Sequence, residues 1–200
     1  MNSMAKGSND VILRDRLQFE TTTGGSADLV YGRIDLSDYV SIPENKGLAI
    51  KEIRFQMRDP NDTLGNWPVN LGEFDMANIG TQTQGGLKVF ATTTAYEDVR
   101  DVGIASPNVI CVYTQEYVVN TDNGANYAWY ERRDEWFGTP DLHPEGYDVV
   151  TDLLIGISTH NLGSFELEGQ TLEIDVMLIA EPKKITQKDL TQMLTQAQDL

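Results

Sequence analysis

The sequence predicts an all-β fold, an antiparallel two-sheet β-sandwich followed by one short C-terminal α-helix, and three observations predict it. Apolar residues recur with a period of two along most of the chain, the mark of strands with one buried and one wet face. Clusters of Gly, Asn, Asp and Pro punctuate those runs. Helical spacing is convincing only after residue 185, so almost no helices are available to cross between parallel strands, and two antiparallel sheets are the usual way to bury so many half-apolar strands.

Residues 11–19 open the pattern, with Val11, Leu13, Leu17 and Phe19 on one face and Arg14, Arg16 and Gln18 on the other. Residues 29–36 follow the turn glycines Gly24 and Gly25; Val30, Ile34 and Leu36 oppose Tyr31, Arg33 and Asp35. In residues 49–58, Ala49, Ile53, Phe55 and Met57 oppose Glu52, Arg54, Gln56 and Arg58, and Asp59-Pro60-Asn61-Asp62 breaks the run. Further strands are expected over 87–95, 109–119, 126–133, 149–160 and 171–181, with a shorter piece over 69–74. In the last full strand, Leu172, Ile174, Val176 and Leu178 alternate with Glu173, Asp175, Met177 and Ile179. Asn123-Gly124 supplies the positive φ angles of a tight hairpin, so the strands flanking residues 120–124 are expected to pair. Long connections at 59–86, 96–108 and 134–148 are where partner contacts should be sought.

After Pro182, Thr186 is placed to cap a helix whose third position is Asp189, and Leu190, Met193, Leu194 and Ala197 line one stripe. Lys183-Lys184 makes a polar break before it, so the stripe is expected to be covered by a neighbouring subunit. The expected organisation is a flexible arm over 1–10, a sandwich over 11–181 and a helical appendage over 182–200.

The chain carries 31 acidic against 15 basic residues, a net charge of −16, so its surface as a whole repels nucleic acid and direct genome binding is not expected. Cys111 stands alone, which rules out an intrachain disulfide. The polar opening residues lack the apolar stretch of a signal peptide, and runs such as Leu153-Leu154-Ile155 are far short of a membrane span. Synthesis in the cytoplasm without export by a signal peptide is the expectation.

Catalytic candidates are few. Only His143 and His160 could serve as a general base. Cys111 lies in an alternating strand and is expected to be a packed residue, because a reactive thiol needs an electropositive setting. Asp141, His143, Glu145 and Asp148 could hold a divalent cation if their loop folded back on itself, though no metal-ligand spacing is met. Asp59, Asn61 and Asp62 begin like a calcium loop, but Leu64 occupies the position where glycine is needed, which favours a strand-ending turn. Glu131 with Asp134 or Glu135, beside Trp129 and Trp136, has the composition of a glycosidase pair, as chance provides in so acidic a chain. Gly85-Gly86 lacks the lysine and the strand-to-helix context of a phosphate loop and reads as a turn. No enzyme activity and no cofactor are expected.

Large aromatic rings at Trp67, Tyr127, Trp129, Tyr130 and Trp136-Phe137 fit either interfaces or caps on the ends of a sandwich. About eight antiparallel strands, long loops, a short polar arm, one cysteine and a C-terminal appendage together resemble a single jelly-roll viral capsid protein. The stretch from Gly32-Arg33-Ile34-Asp35-Leu36 to Gly47-Leu48-Ala49-Ile50-Lys51-Glu52-Ile53-Arg54-Phe55 is similar to the early strands of such shells. The resemblance implies a jelly roll that self-assembles into a virion shell, with copies of itself, other capsid proteins and an inner membrane layer as partners. It brings no functional residue with it. The assembly residues singled out are Leu190, Met193, Leu194, Trp67 and Trp136. A non-catalytic carbohydrate-binding β-sandwich module, with the loop tryptophans as stacking platforms, is the alternative.

Overall fold

The computed structural model describes residues 9–21, 27–65, 82–121, 128–138, 145–160 and 169–196. Nine strands, a 3-10 turn at Val99–Asp101 and one helix make up the described chain. The strands are β1 (Val11–Glu20), β2 (Ala27–Ile34), β3 (Lys46–Arg58), β4 (Gln82–Thr92), β5 (Val109–Thr121), β6 (Ala128–Phe137), β7 (Tyr147–Val149), β8 (Leu153–His160) and β9 (Thr171–Lys184), followed by the helix α1 (Gln187–Gln196). They form two sheets, β1-β9-β3-β7 and β2-β8-β4-β5-β6, and every pairing is antiparallel.

The pairings nest. β1 lies on β9, β2 on β8, β3 on β7 and β4 on β5, so the chain is one long hairpin folded back on its middle. The β3–β9 and β4–β8 pairings roll that hairpin into two facing sheets. This is the jelly-roll plan, with β6 added as an extra strand beside β5. The expected pairing across the hairpin at 120–124 is therefore present, although residues 122–124 lie outside the described ones.

The core fills the space between the sheets. Leu172, Ile174, Val176 and Leu178 of β9, the set expected from alternation, face Leu87, Val89, Ile155 and Ile157 of the second sheet. In β3 the phase changes: a bulge between Ile50 and Glu52 lets Leu48 and Ile50 join Ile53 in the core, whereas Ala49 was expected on that face. An inserted residue reverses the in–out order, which simple alternation cannot foresee. A second cluster on the outer side of the second sheet joins Phe90 and Val112 to Val102, with Tyr31, Tyr96 and Val99 against them. The 93–108 connection thus packs over its own sheet. Gly156 makes this possible, because its missing side chain is where the Phe90 ring lies.

Several boundaries differ from expectation. The run 149–160 is two strands, β7 in the first sheet and β8 in the second, because the chain changes sheet at Val150-Thr151-Asp152. Asp152 secures that corner by accepting a hydrogen bond from the Leu36 amide at 2.9 Å and pairing with Arg33. Gly85-Gly86 is not a turn but part of β4. A Cβ at Gly86 would stand 2.8 Å from the Gln115 carbonyl, so glycine marks a close approach of backbones there. β6 runs to Phe137 and β9 through Pro182 to Lys184, beyond the last β1 pairing at Val11 with Ala180. With β3 as its single described neighbour at that point, β9 can carry a residue that has no amide hydrogen. The expected piece at 69–74 and most of the arm 1–10 fall outside the described residues; Asp10 pairs with Lys51 at 2.7 Å.

Candidate functional site

The helix forms as its sequence indicates. The Asp189 amide donates to Thr186 Oγ1 at 3.2 Å, and the Thr186 hydroxyl donates to the Asp189 carboxylate at 2.6 Å. The described part of its apolar stripe, Leu190 and Met193, is covered from within the chain. Leu190 is buried with Val150 and Ile185, and Met193 packs against them. The Ile185 amide donates to the Asn45 carbonyl at 2.9 Å, fixing the connection that was expected to let the helix swing outward. Pairing of Lys183 and Lys184 with β3 supplies the anchor that a polar composition concealed. The Leu194 side chain and Ala197 lie outside the described residues, as does Trp67.

Trp136 sits in β6 rather than in a loop. Its ring stacks on Phe55 of the opposite sheet, with centroids 5.6 Å apart and planes at 11°, and tilts against Tyr113 at 4.7 Å. It closes one side of the sandwich with 36% of its surface still exposed. Beneath it, Asp134 accepts from Tyr113 Oη and from Gln115 Nε2, each at 3.0 Å, and pairs with Arg132 at 2.9 Å. Burial pushes the Asp134 carboxyl up, but these donors outweigh it and hold it below its ordinary value. Burial, reinforced by the Asp134 charge, pushes the Tyr113 phenol up to about 12. Asp134 is thus a fixed acceptor, while Glu135 pairs with Arg133 on its own strand and Glu131 is exposed. Trp129 and Tyr130 lie on β6, with side chains outside the described residues.

Two concavities open on the outer faces of the sheets. The one on the second sheet, about 400 Å³, is built from cross-strand rows: Glu116, Gly86 and His160 form one, and Thr114, Lys88 and Ser158 the next. Lys88 Nζ donates to the carbonyls of Val99 at 3.2 Å and Val102 at 2.9 Å, tying the covering segment to the sheet. Burial lowers the pKa of this ammonium, partly opposed by Glu116.

The concavity on the first sheet, about 660 Å³, lies over β1, β9 and β3. Arg14, Met177 and Arg54 form one row, and Arg16, Asp175 and Gln56 the next. Arg16 grips Asp175 with Nε at 2.6 Å and a second nitrogen at 3.3 Å, Arg58 approaches Asp175 at 3.6 Å, and Arg54 pairs with Glu52. Arg14 is exposed and has no carboxylate partner among the described residues. Sequence reasoning missed both rows because each draws on three strands far apart in the chain. The charged half of the β1 and β3 alternation was the available signal.

The remaining candidates separate. Cys111 is buried, and burial pushes its thiol up to about 12, the setting of a packed residue. Asp59 and Asp62 accept from the amides of Asn61 at 2.8 Å and Leu64 at 2.9 Å, which makes the segment the strand-ending turn. Asp148 pairs with Lys183 at 2.6 Å, while Asp141 and His143 lie outside the described residues. Among the described residues no three His, Cys, Asp or Glu side chains gather where they could hold a metal ion. No model of a protein family matches the chain, and comparison with curated proteins returns no match.

Proposed function

We propose that this chain is a structural subunit that assembles with copies of itself into a closed shell, the capsid of a virus. The observation that carries the proposal is the strand order: a nested hairpin rolled into the jelly-roll plan, an architecture used by viral capsid domains. Trp136 fits this role better than that of a sugar platform, since its ring is already sandwiched against Phe55 and Tyr113. Copies of charge −16 repel at long range, so assembly strengthens as salt rises from about 0.01 M to about 1 M and the screening length falls from roughly 30 Å to about 3 Å. Size-exclusion chromatography with light scattering across that range, followed by negative-stain microscopy, tests it. Closed particles that grow with salt support the shell; a monomer at every salt and protein concentration overturns it.

One observation favours a second reading, a carbohydrate-binding module. The second-sheet groove presents Thr114, Ser158, Lys88, Glu116 and His160, groups that match sugar hydroxyls. A monomer that binds on a glycan array, and loses binding in Glu116→Ala, would establish that reading in place of the shell.

A further inference from the structure

We infer that Asp15 is an edge guard: it closes the free side of β1 to strand addition by a second copy of the chain. β1 is the edge most open to such addition. It pairs with β9 without a bulge, from Val11 with Ala180 to Glu20 with Thr171, and among the described residues no strand lies on its other side. Between Val11 and Glu20 there is no proline or glycine, the residues that spoil a strand for pairing. An uninterrupted edge of this kind invites another copy to continue the sheet.

The hydrogen-bond pattern shows which groups that copy would need. The Thr21 amide donates to the Gln170 carbonyl at 3.1 Å, continuing the β1–β9 ladder by one pair. In an antiparallel ladder bonded pairs alternate with unbonded ones, so the odd residues of β1 bond to β9. The even ones, Ile12, Arg14, Arg16, Gln18 and Glu20, turn their amides and carbonyls to the open side. Asp15 stands in the middle of that edge. Alternation assigns it to the core face, between Leu13 and Leu17, which pack against the core, yet Asp15 is exposed. Its carboxylate accepts from the Arg16 amide at 2.8 Å, so the central outward donor of the edge is already taken. A copy pairing antiparallel about this point would also set two Asp15 side chains opposite each other, and like charges so placed are destabilising.

The other edges are blunted by different means. β7 is only three residues long, and β2 is interrupted by a register shift between Ala27 and Val30. β6 carries the charge of Asp134 on its inward side, two residues from the Trp136 ring that stacks across the sandwich. Inward charges, short strands and bulges at edges all oppose edge-to-edge pairing. Contacts between copies therefore fall to faces and loops, and at β1 the protection rests on one side chain.

The test compares the full chain with Asp15→Val and Asp15→Asn in about 0.15 M salt, by light scattering and by amide hydrogen exchange read with NMR. In the unmodified monomer the Arg16 amide should exchange more slowly than those of Arg14 and Gln18. Valine frees that amide, removes the like-charged pair and favours a strand, so Asp15→Val should associate roughly tenfold or more tightly than the unmodified chain. The Arg14, Arg16 and Gln18 amides should gain protection as it does so. Asparagine keeps an acceptor for the Arg16 amide and should associate less than valine. Association of Asp15→Val equal to that of the unmodified chain overturns the inference, as does association that leaves the three amides unprotected. Asp15→Asn associating as tightly as Asp15→Val would show loss of charge alone at work and overturn the capping role. The outcome is separate from the fate of the shell reading: in any particles the unmodified chain forms, these amides should exchange as in the monomer. Protection of them there would make the edge itself the assembly contact, and the inference would be wrong while the shell stood.

Discussion

Gly156→Ala is the sharpest probe of how the second sheet is covered. A Cβ at this position would stand 2.6 Å from Cε1 and 2.7 Å from Cε2 of Phe90, with Cζ closer still, where ordinary contact begins at 3.4 Å. The ring must therefore retreat by close to 1 Å. It has little room, being fully buried, edge-on to Tyr31 at 5.9 Å and packed with Val102 and Val112. Overpacking of this kind costs about 1–3 kcal/mol, and a disturbed aromatic pair about 0.5–1.5 kcal/mol more. Replacing glycine returns about 0.5–1 kcal/mol of chain entropy, leaving a net loss of about 1–3 kcal/mol. At about 2–4 °C per kcal/mol for a chain of this size, the melting midpoint should fall by roughly 3–10 °C. Far-ultraviolet circular dichroism on heating reads it. The second arm is Phe90→Leu, which alone should cost about 1–2 kcal/mol through the cavity it leaves. Combined with Gly156→Ala it should cost less than the sum, because the shorter side chain vacates the space the new methyl needs. A single variant with an unchanged midpoint, or two costs that simply add, would refute the claim that ring and glycine are fitted to one another.

Truncation after Lys184 should keep the β-type spectrum while lowering the midpoint by roughly 5 °C or more, because Ile185 and Leu190, worth at most about 1.5–3 kcal/mol each, bury Val150 apart from the main core; an unchanged midpoint would show that the docked helix adds nothing to the monomer. Cys111 should react with a thiol reagent at pH 8 only as fast as the chain unfolds, and reductant should leave the midpoint unmoved; rapid labelling of the folded protein would contradict its burial. Stability should fall as pH rises from about 9 toward 12, measured as the urea midpoint. The folded state holds the Cys111 thiol and the Tyr113 phenol protonated above their ordinary values of 9.0 and 10.0, so their contribution is complete below those values and is lost through the window up to about 12. Lys88 opposes this weakly, since its lowered pKa makes its charged form a cost that rising pH relieves below 10.5, and a midpoint that rises overall would mean that Lys88 outweighs the two acids.

How much of this was legible depended on whether a strand kept one wet face. β1 and β9 do, and their alternation in the sequence matches the burial in the structure, with Asp15 exposed and Glu173 buried as the exceptions. β7 and β8 do not: Val149, Val150 and Leu153 are all buried, in different clusters, so a change of sheet reads in sequence as one continuous strand. Gly85-Gly86 was misread because a glycine pair signals a turn unless the neighbouring backbone that crowds it is known. Trp136 could be picked out as important, but its partner Phe55 lies 81 positions earlier with no local mark of the pairing. The same limit hid the arginine rows, which exist only once β9 lies between β1 and β3.

That central place of β9 has a consequence for how the protein can be made. β1 and β3 do not pair with each other; apart from the three-residue pairing of β3 with β7, each waits for a strand that begins at Thr171. On a ribosome working from the N-terminus, β4, β5 and β6 can zip up soon after they emerge, being neighbours in both sequence and sheet. The first sheet has no such early form. Until synthesis has passed Thr171, β1 and β3 hold unpaired edges and uncovered apolar faces, the condition in which nascent chains stick to one another. A message cut short before the codon for Thr171 would therefore yield an incomplete half-roll rather than a smaller stable domain, and slowing elongation should not help the first sheet to form early.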